Sequence, residues 1–231
     1  CLENKMANLK FRNQRSRASE LLEIVHTDLN VINQPTGYKG GKYFVSFIDD
    51  YSKLARVYPI KSKSEVSEKF LEYVNLVENI TGKRIKELRY DNGTEYINSK
   101  INEFIKSKGI FLNPCPAYTH ALNGVAERYN RQIMDRARCL LKEANLNLSY
   151  WPEAVKTACY LGNRVLANTK LAKTPFEIFF GRKPDISNLK LYGCNAYVRI
   201  PEEKRSTKLS PKAVKGKLVG YGTTGYFILV V

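Results

Sequence analysis

Three acids stand at spacings that suit metal chemistry on a phosphodiester. Asp91 and Glu127 are separated by 35 residues, and Asp28 closes an apolar stretch, residues 21–27, upstream of both. Carboxylate oxygens are hard ligands for Mg²⁺ or Mn²⁺, and two such ions can activate the attacking and leaving oxygens of an in-line displacement at phosphorus. A formal net charge of +16 suits a polyanionic substrate. Each acid also has an ordinary reading. Asp91-Asn92-Gly93 suits a turn, Glu127 suits a first helical turn where a negative charge complements the dipole, and Asp28 suits a loop cap. Together, the spacing and the charge point to a metal-dependent enzyme acting on nucleic acid.

Other residues compete for the site. Asp49 and Asp50 close an apolar run, but Asp49-Asp50-Tyr51-Ser52 is a good turn, so Asp50 is read as a turn or supporting residue, as is Asn92 beside Asp91. His26 precedes Asp28 by two and shares its side of a strand; it reads as packed. His120, in a loop bounded by prolines, is a candidate phosphate contact. Arg128, Arg131, Arg136 and Arg138 line the segment that carries Glu127, and Asn123 and Asn130 flank it. Of these, Asn123, Arg128, Asn130 and Arg131 join His120 as candidate DNA contacts, the kind that fix register on phosphates without reading bases. The alternative is a solvated, arginine-rich helix.

These residues need elements to position them. Apolar patterning predicts strands over 21–29, 43–48 and 55–60, spaced closely enough for an antiparallel meander. Val66, Phe70, Tyr73, Val74, Val77 and Ile80 recur at helical spacing, and Thr81-Gly82 stops that helix. A short strand over 86–90 ends at Asp91. A small helix around Ile101, Phe104 and Ile105, a strand over 110–112 and a loop over 114–123 follow. Helices then run over 124–144, carrying Glu127, and over 151–165. The order βββ-α-β-α-β-α-α predicts an α/β fold, a mixed sheet with helices on its faces. Further on come a strand over 196–200 and a hairpin pairing 217–221 with 226–231.

Composition narrows the setting. No run approaches the roughly 18 apolar residues of a membrane span, and no secretory apolar region opens the chain, so the expected setting is cytosolic or nuclear, without a membrane partner. Residues 182–217 carry ten Lys or Arg against three acids, and residues 5–17 carry no acid. The five cysteines are dispersed and the histidines number two, which suits reduced, packed thiols and offers no complete zinc site.

Four ordered motifs carry a resemblance: His26-Thr27-Asp28-Leu29, Phe47-Ile48-Asp49-Asp50-Tyr51-Ser52, Tyr90-Asp91-Asn92-Gly93-Thr94-Glu95-Tyr96 and Asn123-Gly124-Val125-Ala126-Glu127-Arg128-Tyr129-Asn130-Arg131. They resemble the integrase core of copia-type (Pseudoviridae) LTR-retrotransposon Pol polyproteins, within the retroviral integrase superfamily. Thr174-Pro175-Phe176-Glu177, Gly193-Cys194-Asn195-Ala196-Tyr197 and Gly216-Lys217-Leu218-Val219-Gly220-Tyr221 resemble its downstream segments. The resemblance implies an RNase H-like fold with a five-stranded sheet and a D,D-35-E site at Asp28, Asp91 and Glu127. It implies 3′-end processing and strand transfer of element DNA, with Asp28 bridging two Mg²⁺ or Mn²⁺ ions and Asp91 and Glu127 each holding one. It further implies double-stranded DNA as partner, a homo-multimer on paired ends, no small-molecule cofactor, and action in the nucleus after a cytoplasmic particle stage. A zinc-binding domain precedes such cores, so Cys1 reads as an orphaned zinc ligand and residues 1–19 as the exit linker, with a core over 20–185 and a truncated basic extension over 186–231. Departures are Ala117 to Leu122, where relatives carry Pro and Gln, and Tyr90, where Ser is common. Two rival readings are a nuclease cutting RNA in a hybrid, which needs a fourth acid such as Glu68 or Glu72, and a non-catalytic DNA-binding remnant of a decayed element.

Overall fold

The computed structural model describes residues 17–33, 35–91, 99–115, 124–166 and 172–230. Three antiparallel strands, β1 (Ile24–Val31), β2 (Tyr43–Asp49) and β3 (Ala55–Ile60), open the sheet, and helix α1 (Val66–Thr81) follows them. Then come β4 (Glu87–Asp91), α2 (Ser99–Lys108), β5 (Phe111–Cys115), α3 (Gly124–Glu143) and α4 (Trp151–Gly162). The strands form one five-stranded sheet in the order β3-β2-β1-β4-β5, with β4 parallel to both its neighbours. This is the mixed α/β sheet that the patterning predicts, with helices on both faces.

Strand alternation divides the core. Val25, Val45 and Phe47 face α1 and α2, where Phe47 stacks on Tyr73 at 4.7 Å. Phe44 and Ile48 face the other way, against Ala126, Ile133 and Ala137 of α3 and Ala154, Val155 and Ala158 of α4. Small residues on α4 let it lie close to the sheet. At the end of α1 Gly82 takes φ 67° and donates its amide to the Glu78 carbonyl, which is the stop that Thr81-Gly82 predicts.

Several boundaries differ from expectation. The first strand starts at Ile24 rather than residue 21, because buried Leu22 has φ 63° and gives its amide to Asp49 Oδ1 instead of to a sheet partner. The last strand of the sheet runs on through Pro114 to Cys115, where a loop is expected; β5 is an edge strand, and an edge tolerates a residue without an N–H. Helix α4 ends at Gly162 rather than residue 165, and a short helix, α5 (Pro175–Phe180), is capped reciprocally by Thr174 and Glu177.

Beyond the core, β6 (Asn195–Arg199), β7 (Ala213–Tyr221) and β8 (Tyr226–Val230) form an antiparallel three-stranded sheet. It is docked. Tyr192 and Val219 join the α3–α4 core cluster, Thr157 Oγ1 donates to the Val219 carbonyl at 3.2 Å, and Tyr221 stacks on Tyr160 at 4.6 Å. Among the described residues no helix is long and apolar enough to cross a membrane.

Candidate active site

Asp28 pairs with Ser46 of β2, between Phe44 and Ile48 in the alternation, and so faces α3. Pairing between β1 and β4 is parallel and reaches His26 opposite Arg89. Two residues further along both strands are Asp28 and Asp91, which therefore stand level and on the same side of the sheet. There β4 ends, while β1 continues beside β2 to Val31. Asp28 thus sits where β1 leaves β4 and continues beside β2 alone.

Helix α3 brings the third acid. Glu127 lies in its first turn, and Asn130, three residues on and so on the same helical face, is 1% exposed. The Asn130 amide nitrogen Nδ2 donates to Asp28 Oδ2 at 2.8 Å. Asn130, expected among the DNA contacts, is buried and turned toward the Asp28 carboxylate. Arg128 and Arg131 are exposed on the same helix. Asn92, Asn123, His120 and Cys1 lie outside the described residues.

The electrostatics tie the three acids together. Burial pushes the Asp28 carboxyl up to about 6, helped by the charge of Asp91 and then of Glu127, against the opposing Asn130 hydrogen bond. A half-buried carboxylate facing two others is an arrangement that a divalent cation relieves, and an all-oxygen donor set suits Mg²⁺ or Mn²⁺. Among the described residues no three His, Cys, Asp or Glu side chains converge closely enough to ligate one ion. The acids face one another at Coulombic distance.

The neighbouring acids do other work. Asp49 accepts hydrogen bonds from the Leu22 amide at 2.8 Å and the Ser52 amide at 2.7 Å, which closes the β2–β3 turn. Asp50 accepts from the Ala18 amide at 2.9 Å and from Arg17 Nη1 at 3.1 Å, pairs with Lys53, and lies 3.3 Å from His26 Nε2. Burial raises the Asp50 carboxyl, but the contacts with His26, Lys53 and the Ala18 amide outweigh it and hold the group well below the usual carboxylate range. His26 is buried, and desolvation lowers its pKa. Nothing in the sequence pattern flagged the tie between Asp50 and Arg17; a basic residue just ahead of the first strand is its only local trace. Glu68 and Glu72 are exposed and share Lys69, on a helix that packs against the face opposite α3.

Residues 19–120, which hold the five-stranded sheet with Asp28 and Asp91 level on β1 and β4, match the Integrase core domain family. Residues 194–230 match the Retroviral polymerase SH3-like domain, which is where the docked three-stranded sheet lies. The chain is 38% identical, over 96% of its length, to the Retrovirus-related Pol polyprotein from transposon TNT 1-94 of Nicotiana tabacum, and 32% identical, over 97%, to that from transposon RE2 of Arabidopsis thaliana. It is thus a relative of plant copia-type retrotransposon Pol sequences, and it spans only 17% and 15% of the length of these two. In fold it resembles a chain of the simian T-cell lymphotropic virus intasome (TM-score 0.60, 15% identity, covering 93% of this chain and 78% of that one). It also resembles the HTLV-2 integrase catalytic core domain in complex with magnesium (TM-score 0.54, 21% identity, covering 71% of this chain and 99% of that one).

Proposed function

We propose that this chain is a retrotransposon integrase core whose Asp28, Asp91 and Glu127 hold two divalent cations for phosphodiester chemistry. The observation that carries the reading is the setting of Asp28: a half-buried carboxylate, hydrogen-bonded by Asn130, that feels the charges of Asp91 and Glu127. Bound Mg²⁺ or Mn²⁺ would activate the attacking oxygen and offset charge on the leaving one. Asp28, Asp91 and Glu127 would hold the ions through their carboxylate oxygens. The magnesium in the HTLV-2 core complex supports a divalent ion for the family fold.

Two reactions then share one site. In the first, a water oxygen bonds to phosphorus near the element's 3′ end, the P–O3′ bond breaks, and the departing 3′ oxygen takes a proton. In the second, that 3′ hydroxyl attacks a phosphorus of target DNA, and the target's own P–O3′ bond breaks in turn. Neither step needs a covalent enzyme intermediate, so the chain needs carboxylates and phosphate contacts rather than a nucleophile. Double-stranded DNA is the partner, a homo-multimer on paired ends the working form, and the nucleus the place of action.

The test is a strand-transfer and disintegration assay on labelled oligonucleotides with Mg²⁺ or Mn²⁺. Asp91→Asn abolishes joining while leaving the thermal melt and DNA affinity close to wild type. Full joining by Asp91→Asn, or DNA binding without any chemistry in the wild type, overturns the reading.

A further inference from the structure

On the flank of α3, the helix that carries Glu127, is a cleft of about 290 Å³ whose charged lining residues are all cationic. Arg17, Lys53, Arg128 and Arg136 line it together with Gln132 and Asn163, and no carboxylate lines it among the described residues. The one acid behind it, Asp50, has a side chain 1% exposed and is already shared by Arg17 and Lys53. The cleft therefore keeps a net positive charge after its internal pairing.

Its cations are placed rather than scattered. Arg128, Gln132 and Arg136 recur every four residues along α3, so they form one stripe with neighbours about 6 Å apart. Gly162, the last residue of α4, leaves room for a guanidinium: a Cβ there would come within 2.6 Å of Arg136 Nη1. Arg136 thus rests against the negative end of the α4 dipole. That dipole accounts for Arg136, but not for Arg17 or for Arg128, about two turns earlier on α3. Arg17 is held at its post by Asp50, which ties the chain ahead of β1 to the β2–β3 turn.

We infer that this cleft is a second phosphodiester-binding site, which seats the DNA backbone a short distance along the strand from the phosphate under attack. The inference rests on the proposed chemistry at Asp28, Asp91 and Glu127. Val125 and Arg128, which line the cleft, bracket Glu127 on α3, so the cleft lining begins within one helical turn of that acid. Planar guanidinium groups suit phosphate oxygens in pairs. A strand held at both places cannot slide, and this fixes which phosphorus faces the acids without reading any base.

The experiment is equilibrium binding of a labelled duplex oligonucleotide to the full chain in EDTA, titrated between about 50 and 200 mM salt. Arg136→Ala lowers the slope of log K against log salt by about one, and the Arg128→Ala, Arg136→Ala pair by about two. Arg136→Lys keeps most of the slope, and Arg138→Ala, exposed and paired with Asp135 outside the cleft, leaves it unchanged. Wild-type slopes in both Arg136→Ala and the double variant overturn the inference. So does an equal loss in Arg138→Ala, which would make the effect one of overall charge. Strand transfer by Asp91→Asn is scored separately: activity there removes the acid site, while the salt slopes still decide the cleft.

Discussion

At the scale of single residues, the most informative contact is the 2.8 Å hydrogen bond from Asn130 to Asp28. A carboxylate facing two others turns away unless something holds it, and the Asn130 amide does so from within the core. Asn130→Ala therefore reduces strand transfer by about 10- to 100-fold, the usual cost of losing a partner behind a metal ligand. It also raises the Mn²⁺ concentration needed for half-maximal activity, read by titration; an unchanged midpoint would mean that Asn130 only packs. Asp50 makes a separate prediction about pH. Its folded pKa is depressed, so the stability it contributes is present above its unfolded pKa of about 4 and is lost as pH falls below that. Urea midpoints measured from neutral to acid pH show this loss in the wild type, and Asp50→Asn flattens the acid limb while lowering the midpoint at neutral pH.

At the scale of elements, the site depends on pairings that no segment contains by itself. The spacing of Val66, Phe70, Tyr73 and Val77 made α1 readable, and the alternation in 43–48 did the same for β2. The start of β1 was not readable, because Leu22 looks like a strand residue yet takes a positive φ when Asp49 captures its amide. Pro114 looked like a loop residue, and only the position of β5 at the sheet edge makes it tolerable. The docking of the C-terminal sheet on α4 was equally hidden, since Tyr192 and Val219 meet the core only in three dimensions. Val219→Asp places a carboxylate in the apolar cluster that Val219 shares with α3 and α4, and lowers the melting temperature by several degrees, with loss of hydrogen-exchange protection first in β7 and β8. Protection that falls uniformly through the five-stranded sheet would show instead that both sheets unfold as one unit.

For the whole molecule, the charge of +16 is distributed to a purpose. Acids gather at one end of the sheet, where Asp28, Asp91 and Glu127 share a field, and cations gather on the flank of α3 in the cleft of Arg17, Lys53, Arg128 and Arg136. On the proposed reading, a DNA strand crossing this surface would meet attraction on the flank and, at the acids, repulsion that divalent cations would cancel. DNA binding without metal, and chemistry only with it, is the expected consequence.

Sequence alone determined the kinds of groups available, the order of strands and helices, and the three acids worth pairing, because periodicity, turn residues and charge are local properties. The tertiary structure decided that Asp28 and Asp91 stand level, through the parallel register of β1 and β4. It also decided that Asn130 turns inward to meet an acid 102 residues away, while Arg136 turns outward beside Gly162. The physical reason is the same in each case: register and helix docking are set by long-range burial, and a helix of arginines and asparagines presents a different residue to each partner according to which face the core takes.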